Sequence, residues 1–132
     1  MREIKFRGKQ RDTGEWSYGS LQCFKGLSIF DSIWKNFLPV DSKTVGQFTG
    51  MSDKDGRKIF EGDIIRFNGG YALGRWTGVV EYDDANACFV AKGERVKFSY
   101  NDPGTFKVCL SEIDKPTIEI IGNRWDDGWE DK

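Results

Sequence analysis

The sequence predicts a mostly β protein. Short segments alternate apolar and polar residues, Val, Ile, Phe, Tyr and Trp dominate those segments, and many of the chain's 16 glycines fall between them as turn signals. At 132 residues the chain is one domain, or two small subdomains sharing a core. A chain of this size buries roughly two-thirds of its unfolded surface, so neither metal nor disulfide is needed for folding.

The elements follow in order. Ile4, Phe6 and Gly8 alternate with Lys5, Arg7, Lys9 and Arg11, predicting a strand with one buried side and one basic stripe. Asp12-Thr-Gly14 is a turn, and the segment from Trp16 to Phe24 returns as a second strand with Trp16, Tyr18 and Ser20 on one face. Between Leu27 and Leu38 apolar pairs recur every four residues behind Ser28, so a second hairpin competes with a short helix. Pro39 ends either one. Val45 to Met51 and Arg57 to Phe60 are strands around an Asp55-Gly56 turn of type I′. Further strands are expected at Ile64 to Phe67, Trp76 to Tyr82, Ala87 to Ala91, Val96 to Tyr100, Phe106 to Leu110 and Ile118 to Ile121. Strands at this spacing build a small barrel or a sandwich.

Composition excludes several function classes. The chain has no histidine, which removes Ser-His-Asp and Cys-His nucleophiles, imidazole acids and bases, and His-ligated metals. Twenty Lys plus Arg against 21 Asp plus Glu leave a net charge of -1, so any nucleic-acid binding must come from a local patch. Cys23, Cys88 and Cys109 contain no Cys-x-x-Cys pair and are read as reduced, buried thiols. The chain shows neither an apolar leader nor a run of about 20 apolar residues, so a cytoplasmic protein without membrane association is expected.

Several blocks resemble the YopX family of phage and prophage proteins. They are Met1-Arg-Glu-Ile-Lys-Phe-Arg-Gly-Lys9, Thr13-Gly-Glu-Trp-Ser-Tyr-Gly19, Thr44-Val-Gly-Gln-Phe-Thr-Gly-Met51, Asp53-Lys-Asp-Gly-Arg-Lys-Ile-Phe-Glu-Gly-Asp-Ile65, Gly78-Val-Val-Glu-Tyr82 and Ile120-Ile-Gly-Asn123. The apolar stretch from Gly26 to Leu38 and the tail after Asn123 depart from that pattern. The resemblance implies two small all-β subdomains, the second an SH3-like barrel starting near Glu61, and assembly of several identical chains in a bacterial host carrying a phage or prophage. It supplies no activity and no site residues. The expected organisation is a subdomain over residues 1–60, a barrel over 61–123 and an acidic, Trp-containing tail over 124–132.

Four candidate features carry chemistry. Asp53, Asp55, Glu61 and Asp63 are weak candidates for a hard-metal site. An EF-hand fails, since with Gly56 at loop position 6 its first and last ligand positions hold Met51 and Gly62. Asp-Gly and Glu-Gly-Asp are also ordinary turn sequences. Gly69 to Gly74 has phosphate-loop glycine spacing, but Arg75 and Trp76 replace the required Lys and Ser or Thr, leaving a loop whose Tyr71 and Arg75 suit partner contact. Lys5, Arg7, Lys9 and Arg11 beside Trp16 and Tyr18 suit phosphate and base contacts, although charge alternation also keeps strands soluble. Trp125 and Trp129, four apart, suit an interface between subunits or docking on their own domain.

The sequence therefore reads as a non-enzymatic, self-assembling binding or regulatory module without a cofactor. Its expected partners are further copies of the chain, weakly bound nucleic acid, or a host or phage protein. The alternative is a metal-dependent enzyme cleaving phosphodiesters with the Asp53, Asp55, Glu61 and Asp63 carboxylates.

Overall fold

The computed structural model describes residues 3–23, 26–31, 35–68, 75–94 and 99–126. They are mostly β, in two antiparallel sheets connected by turns and three short 3-10 turns. Among them no helix is long and apolar enough to cross a membrane. The chain divides into compact units at Met1–Gly50 and Met51–Lys132.

In the first unit, β1 (Phe6–Lys9), β2 (Trp16–Cys23), β3 (Leu27–Asp31), β4 (Asn36–Pro39) and β5 (Gly46–Ser52, which continues into the second unit) lie in the order β4-β3-β2-β1-β5. The β1–β2 connection is closed by Gln10 N–H donating to Glu15 O at 2.8 Å and Gly14 N–H to Gln10 O at 2.9 Å. That closure sets Arg7 opposite Tyr18 and Lys9 opposite Trp16. Between Leu27 and Leu38 the hairpin is formed, with Ile29 opposite Leu38 and Phe30 opposite Phe37; Ile33 and Trp34 lie outside the described residues. Antiparallel pairing satisfies the backbone while Ile29, on one face, is fully buried.

The expected division of β1 into buried apolar and exposed basic sides is corrected at two positions. Ile4 precedes the paired stretch and is 65% exposed, whereas Arg7 is 5% exposed with its guanidinium stacked on Trp16. The cysteines also differ from expectation, with Cys23 exposed at the end of β2 and Cys88 and Cys109 half-buried at strand ends.

The second unit contains β6 (Lys58–Phe60), β7 (Asp63–Asn68), β8 (Arg75–Asp83), β9 (Cys88–Glu94), β10 (Thr105–Cys109) and β11 (Glu119–Asn123). β6 pairs with the end of β5, and the other five strands form a sheet in the order β10-β9-β8-β7-β11. An SH3-like barrel was expected from the family resemblance, yet β10 and β11 are the two edges of this sheet and no pairing closes it among the described residues. The expected strand from Val96 to Tyr100 is also corrected: Ser99 and Tyr100 stand in a turn, with Tyr100 99% exposed, and 95–98 lie outside the described residues.

Ile59, Ile65, Phe67, Val80, Ala91, Leu110, Ile113 and Ile118 form this unit's core. In β8, Trp76, Gly78 and Val80 turn inward, whereas Tyr82, next in the same row, is 44% exposed. Phe67, Trp76 and Phe106 pack as a triad with ring centroids 4.7 to 6.4 Å apart. Gly78 and Gly93 make room for the Phe106 ring, because a Cβ on either would lie 3.1 to 3.2 Å from it. At Gly93 that carbon would also come within 2.4 Å of the Thr77 carbonyl oxygen.

The turn after β5 is not the expected type I′. That type needs positive φ at both central residues, and of Asp55 and Gly56 only Gly56 has it, at 83°. Instead Gly56 N–H donates to Asp53 O and Asp53 N–H to Arg57 O, a three-residue loop with glycine in the left-handed position. Asp53 organises it. Its Oδ1 accepts from the N–H groups of Asp55 (3.0 Å) and Arg57 (2.8 Å), and its Oδ2 from Arg57 Nε (3.2 Å) and Ile120 N–H (3.3 Å). Arg57 Nη2 then donates to Ile120 O at 3.0 Å, and Lys54 N–H to Ile118 O at 2.8 Å. These bonds tie the hairpin to the β11 segment of the second unit.

Burial of Asp53 favours its neutral form. The N–H groups of Arg57, Ile120 and Asp55 and the Arg57 charge outweigh burial and hold the carboxyl below its ordinary value. A folded-state value below the unfolded one contributes stability above the ordinary carboxylate range, lost as pH falls through the folded value. Asp53→Asn is expected to destabilise the protein by about 2 kcal/mol at neutral pH, the scale of losing one hydrogen bond to a charged group. In melting experiments the gap from wild type should narrow below about pH 4; a gap independent of pH would mean that the charge contributes nothing. Gly93→Ala should cost about 1 to 3 kcal/mol through overpacking, read as a lower melting temperature.

Candidate functional site

The β1–β2 pair brings together most of the basic and aromatic residues singled out above. Residues directly opposite in an antiparallel pair share a face, so the register places Arg7 and Lys9 beside Tyr18 and Trp16. Lys5, two residues before Arg7, continues the row. Lys5 Nζ lies 5.8 Å from the Tyr18 ring centroid, the Arg7 guanidinium carbon 4.5 Å from that of Trp16, and Lys9 Nζ 5.4 Å from the same ring. The result is a ladder of three cations on two rings. Tyr18 is 42% exposed, Lys5, Lys9 and Trp16 are half-buried, and Arg7 is the inner member. Each contact contributes about 0.5 to 2 kcal/mol, more where water is excluded.

The ladder is anchored from behind. Thr44 Oγ1 accepts from Lys9 N–H at 2.8 Å and donates to Asp41 O at 2.7 Å, holding the 3-10 turn at Ser42–Thr44 against β1. Gly8 faces the other way, where its missing side chain admits the fully buried Val40. This arrangement presents the Lys5 and Lys9 charges beside the Tyr18 and Trp16 rings, with Arg7 buried between them. It has the parts to contact phosphates and bases.

The remaining candidates are placed elsewhere. Arg11 is exposed at the β1–β2 turn, where its N–H donates to Pro39 O at 3.1 Å. Arg75 opens β8 in the second unit and acts with Arg66 on Glu119, whose carboxyl is held below its ordinary value first by its hydrogen bond to Lys54. Tyr71, the rest of the glycine-spaced loop, and Trp129 lie outside the described residues. Trp125 is half-buried in a turn, its N–H donating to Asn123 Oδ1 at 3.0 Å and the Arg124 guanidinium 5.2 Å from its ring centroid. Arg124 Nη1 reaches Glu81 Oε1 at 3.2 Å, so the start of the tail is tied to its own unit.

Of the acidic residues, Asp53 uses both oxygens in the turn network, and Asp63 is 2% exposed with Oδ2 accepting from Phe60 N–H at 2.8 Å. Asp55 is exposed and Glu61 half-buried. Among the described residues no three Cys, Asp or Glu side chains converge as a metal site would require. One grouping had no sequence signal: Cys88 and Cys109, distant along the chain, meet across β9 and β10.

The family model described as YopX protein matches residues 5–128, spanning β1 to the tail. No curated protein matches the sequence. A match over nearly the whole chain shows that this chain belongs to the YopX family.

Proposed function

We propose that the protein is a non-enzymatic binding module that assembles with copies of itself and binds single-stranded nucleic acid on the β1–β2 face. The observation that carries this reading is the ladder of Lys5, Arg7 and Lys9 on Tyr18 and Trp16. Lys5 and Lys9, the two half-buried cations, stand on one face of β1 on either side of the buried Arg7 and are placed to meet a phosphate backbone, while the exposed Tyr18 ring offers a stacking platform. The near-neutral total charge confines such binding to this patch and makes it weak and salt-sensitive. In the same reading the second unit is an SH3-like barrel, a scaffold supported by its four-strand meander, the 3-10 turn at Leu110–Glu112 and the return of β11 beside β7.

Fluorescence titration with labelled single-stranded DNA and RNA tests the ligand. Binding should weaken as salt rises, and Lys5→Ala with Lys9→Ala should lower the log-salt slope by about 2. Tyr18→Ala should weaken binding by about tenfold, near the lower end of one stacked base. Absent or salt-insensitive binding would leave the ladder a packing device and remove the nucleic-acid reading. Self-assembly is read separately by light scattering: a multiple of 15.1 kDa is expected, and the mass of one chain would refute it. Ending the chain at Asn123 should lower the assembly state if the Trp-bearing tail contributes the interface.

A further inference from the structure

Cys88 is the first residue of β9 and Cys109 the last of β10. Cys109 stands opposite Val90, which places Cys88 diagonally beside it on the same face of the ladder. The register puts the two side chains next to each other across the β9–β10 pair, and both residues are half-buried. Opposite Cys88 in register is Asp83, which binds Lys107 at 3.2 Å, so the pair sits among charged groups on the sheet face opposite the Phe106 side. Ser111 Oγ lies 3.1 Å from Cys109 Sγ in a surface contact.

The two sulfurs have unequal surroundings. The Ser111 hydroxyl, then its backbone N–H, favour the charged form of Cys109 and hold that thiol below its ordinary value. Cys88 is pushed up, first by its hydrogen bond to Cys109 and then by burial and by the charges of Cys109, Asp83 and Glu112. Cys109 therefore loses its proton first, the difference expected between an attacking and a resolving thiol. Cys23 stands on β2 in the other unit, exposed at the strand's end.

We propose that Cys88 and Cys109 form a thiol–disulfide exchange site that takes low-molecular-weight disulfides. The Cys109 thiolate attacks one sulfur of the small disulfide, whose S–S bond breaks and whose other half leaves as a thiolate that takes up a proton. Cys88 then gives its proton to solvent and attacks the Cys109 sulfur, displacing the second half as a thiol. The protein loses two hydrogens and two electrons, and the small disulfide gains them as two thiols. The bond joins the start of β9, beside the turn at 84–87, to the end of β10, beside the turn at 110–112, and a diagonal cross-link there draws the two strand ends together. The proposal does not rest on the nucleic-acid reading of the β1–β2 face.

The test uses the full chain in a Cys23→Ser background, reduced and then exposed to glutathione disulfide, with intact mass and peptide mapping as readouts. The Cys23→Ser protein should end two hydrogens lighter, with Cys88 joined to Cys109 and no retained glutathione. Adding Cys88→Ser should trap glutathione on Cys109, whereas adding Cys109→Ser should slow modification about tenfold, since the remaining thiol is the poorer nucleophile. Alkylation rates of the two thiols mapped in the reduced Cys23→Ser protein need no further substitution, and Cys109 should react first. Glutathione retained by the Cys23→Ser protein, or equal alkylation of Cys88 and Cys109, would overturn the proposal.

Discussion

The carboxylate of Asp53 is the contact on which the second unit depends. Its two oxygens accept from the turn that follows β5 and from the backbone of β11, so one side chain holds a local hairpin and a strand 67 residues away together. Arg57 completes the junction by bridging the same carboxylate to the Ile120 carbonyl. A charged group buried to this degree is tolerated only because each of its acceptors is used. The turn glycine matters for the same reason: Gly56 takes the left-handed conformation that lets the N–H groups of Asp55 and Arg57 both point at one oxygen.

The first unit is built on a different device. There the cations of β1 are not left in water but laid over the rings of β2, and Arg7 is drawn almost completely inside by Trp16. Stacking spares the guanidinium the full cost of leaving water, and the long stems of Lys5 and Lys9 add apolar contact with the rings.

Much of this was legible in the sequence where the controlling physics is local. Strand positions follow from alternation and the β1–β2 hairpin from a short glycine-containing connection, whereas between Leu27 and Leu38 the β-branched and aromatic content suits strands but the four-residue recurrence equally suits a short helix. The Asp53 turn was read as a turn but with the wrong geometry, because Asp-Gly suits both a two-residue connection and a three-residue one with glycine in the left-handed position. Arg7 was expected at the surface since alternation assigns a side of the strand, and it says nothing of what covers that side. The carboxylates of Asp53 and Asp63 drew notice as possible ligands because composition cannot show that backbone N–H groups already occupy them.

The sequence by itself determined the class of structure and the chemistry it excludes: turn-punctuated strands, a basic stripe facing aromatics, and no imidazole. Tertiary structure alone decided which distant residues meet. The bond from Ile120 to Asp53, the order of strands that makes β10 and β11 sheet edges, and the meeting of Cys88 with Cys109 all depend on pairing between segments separated along the chain. Periodicity tells each residue which face of its strand it occupies, whereas the choice of neighbouring strand is settled by burying the whole core at once.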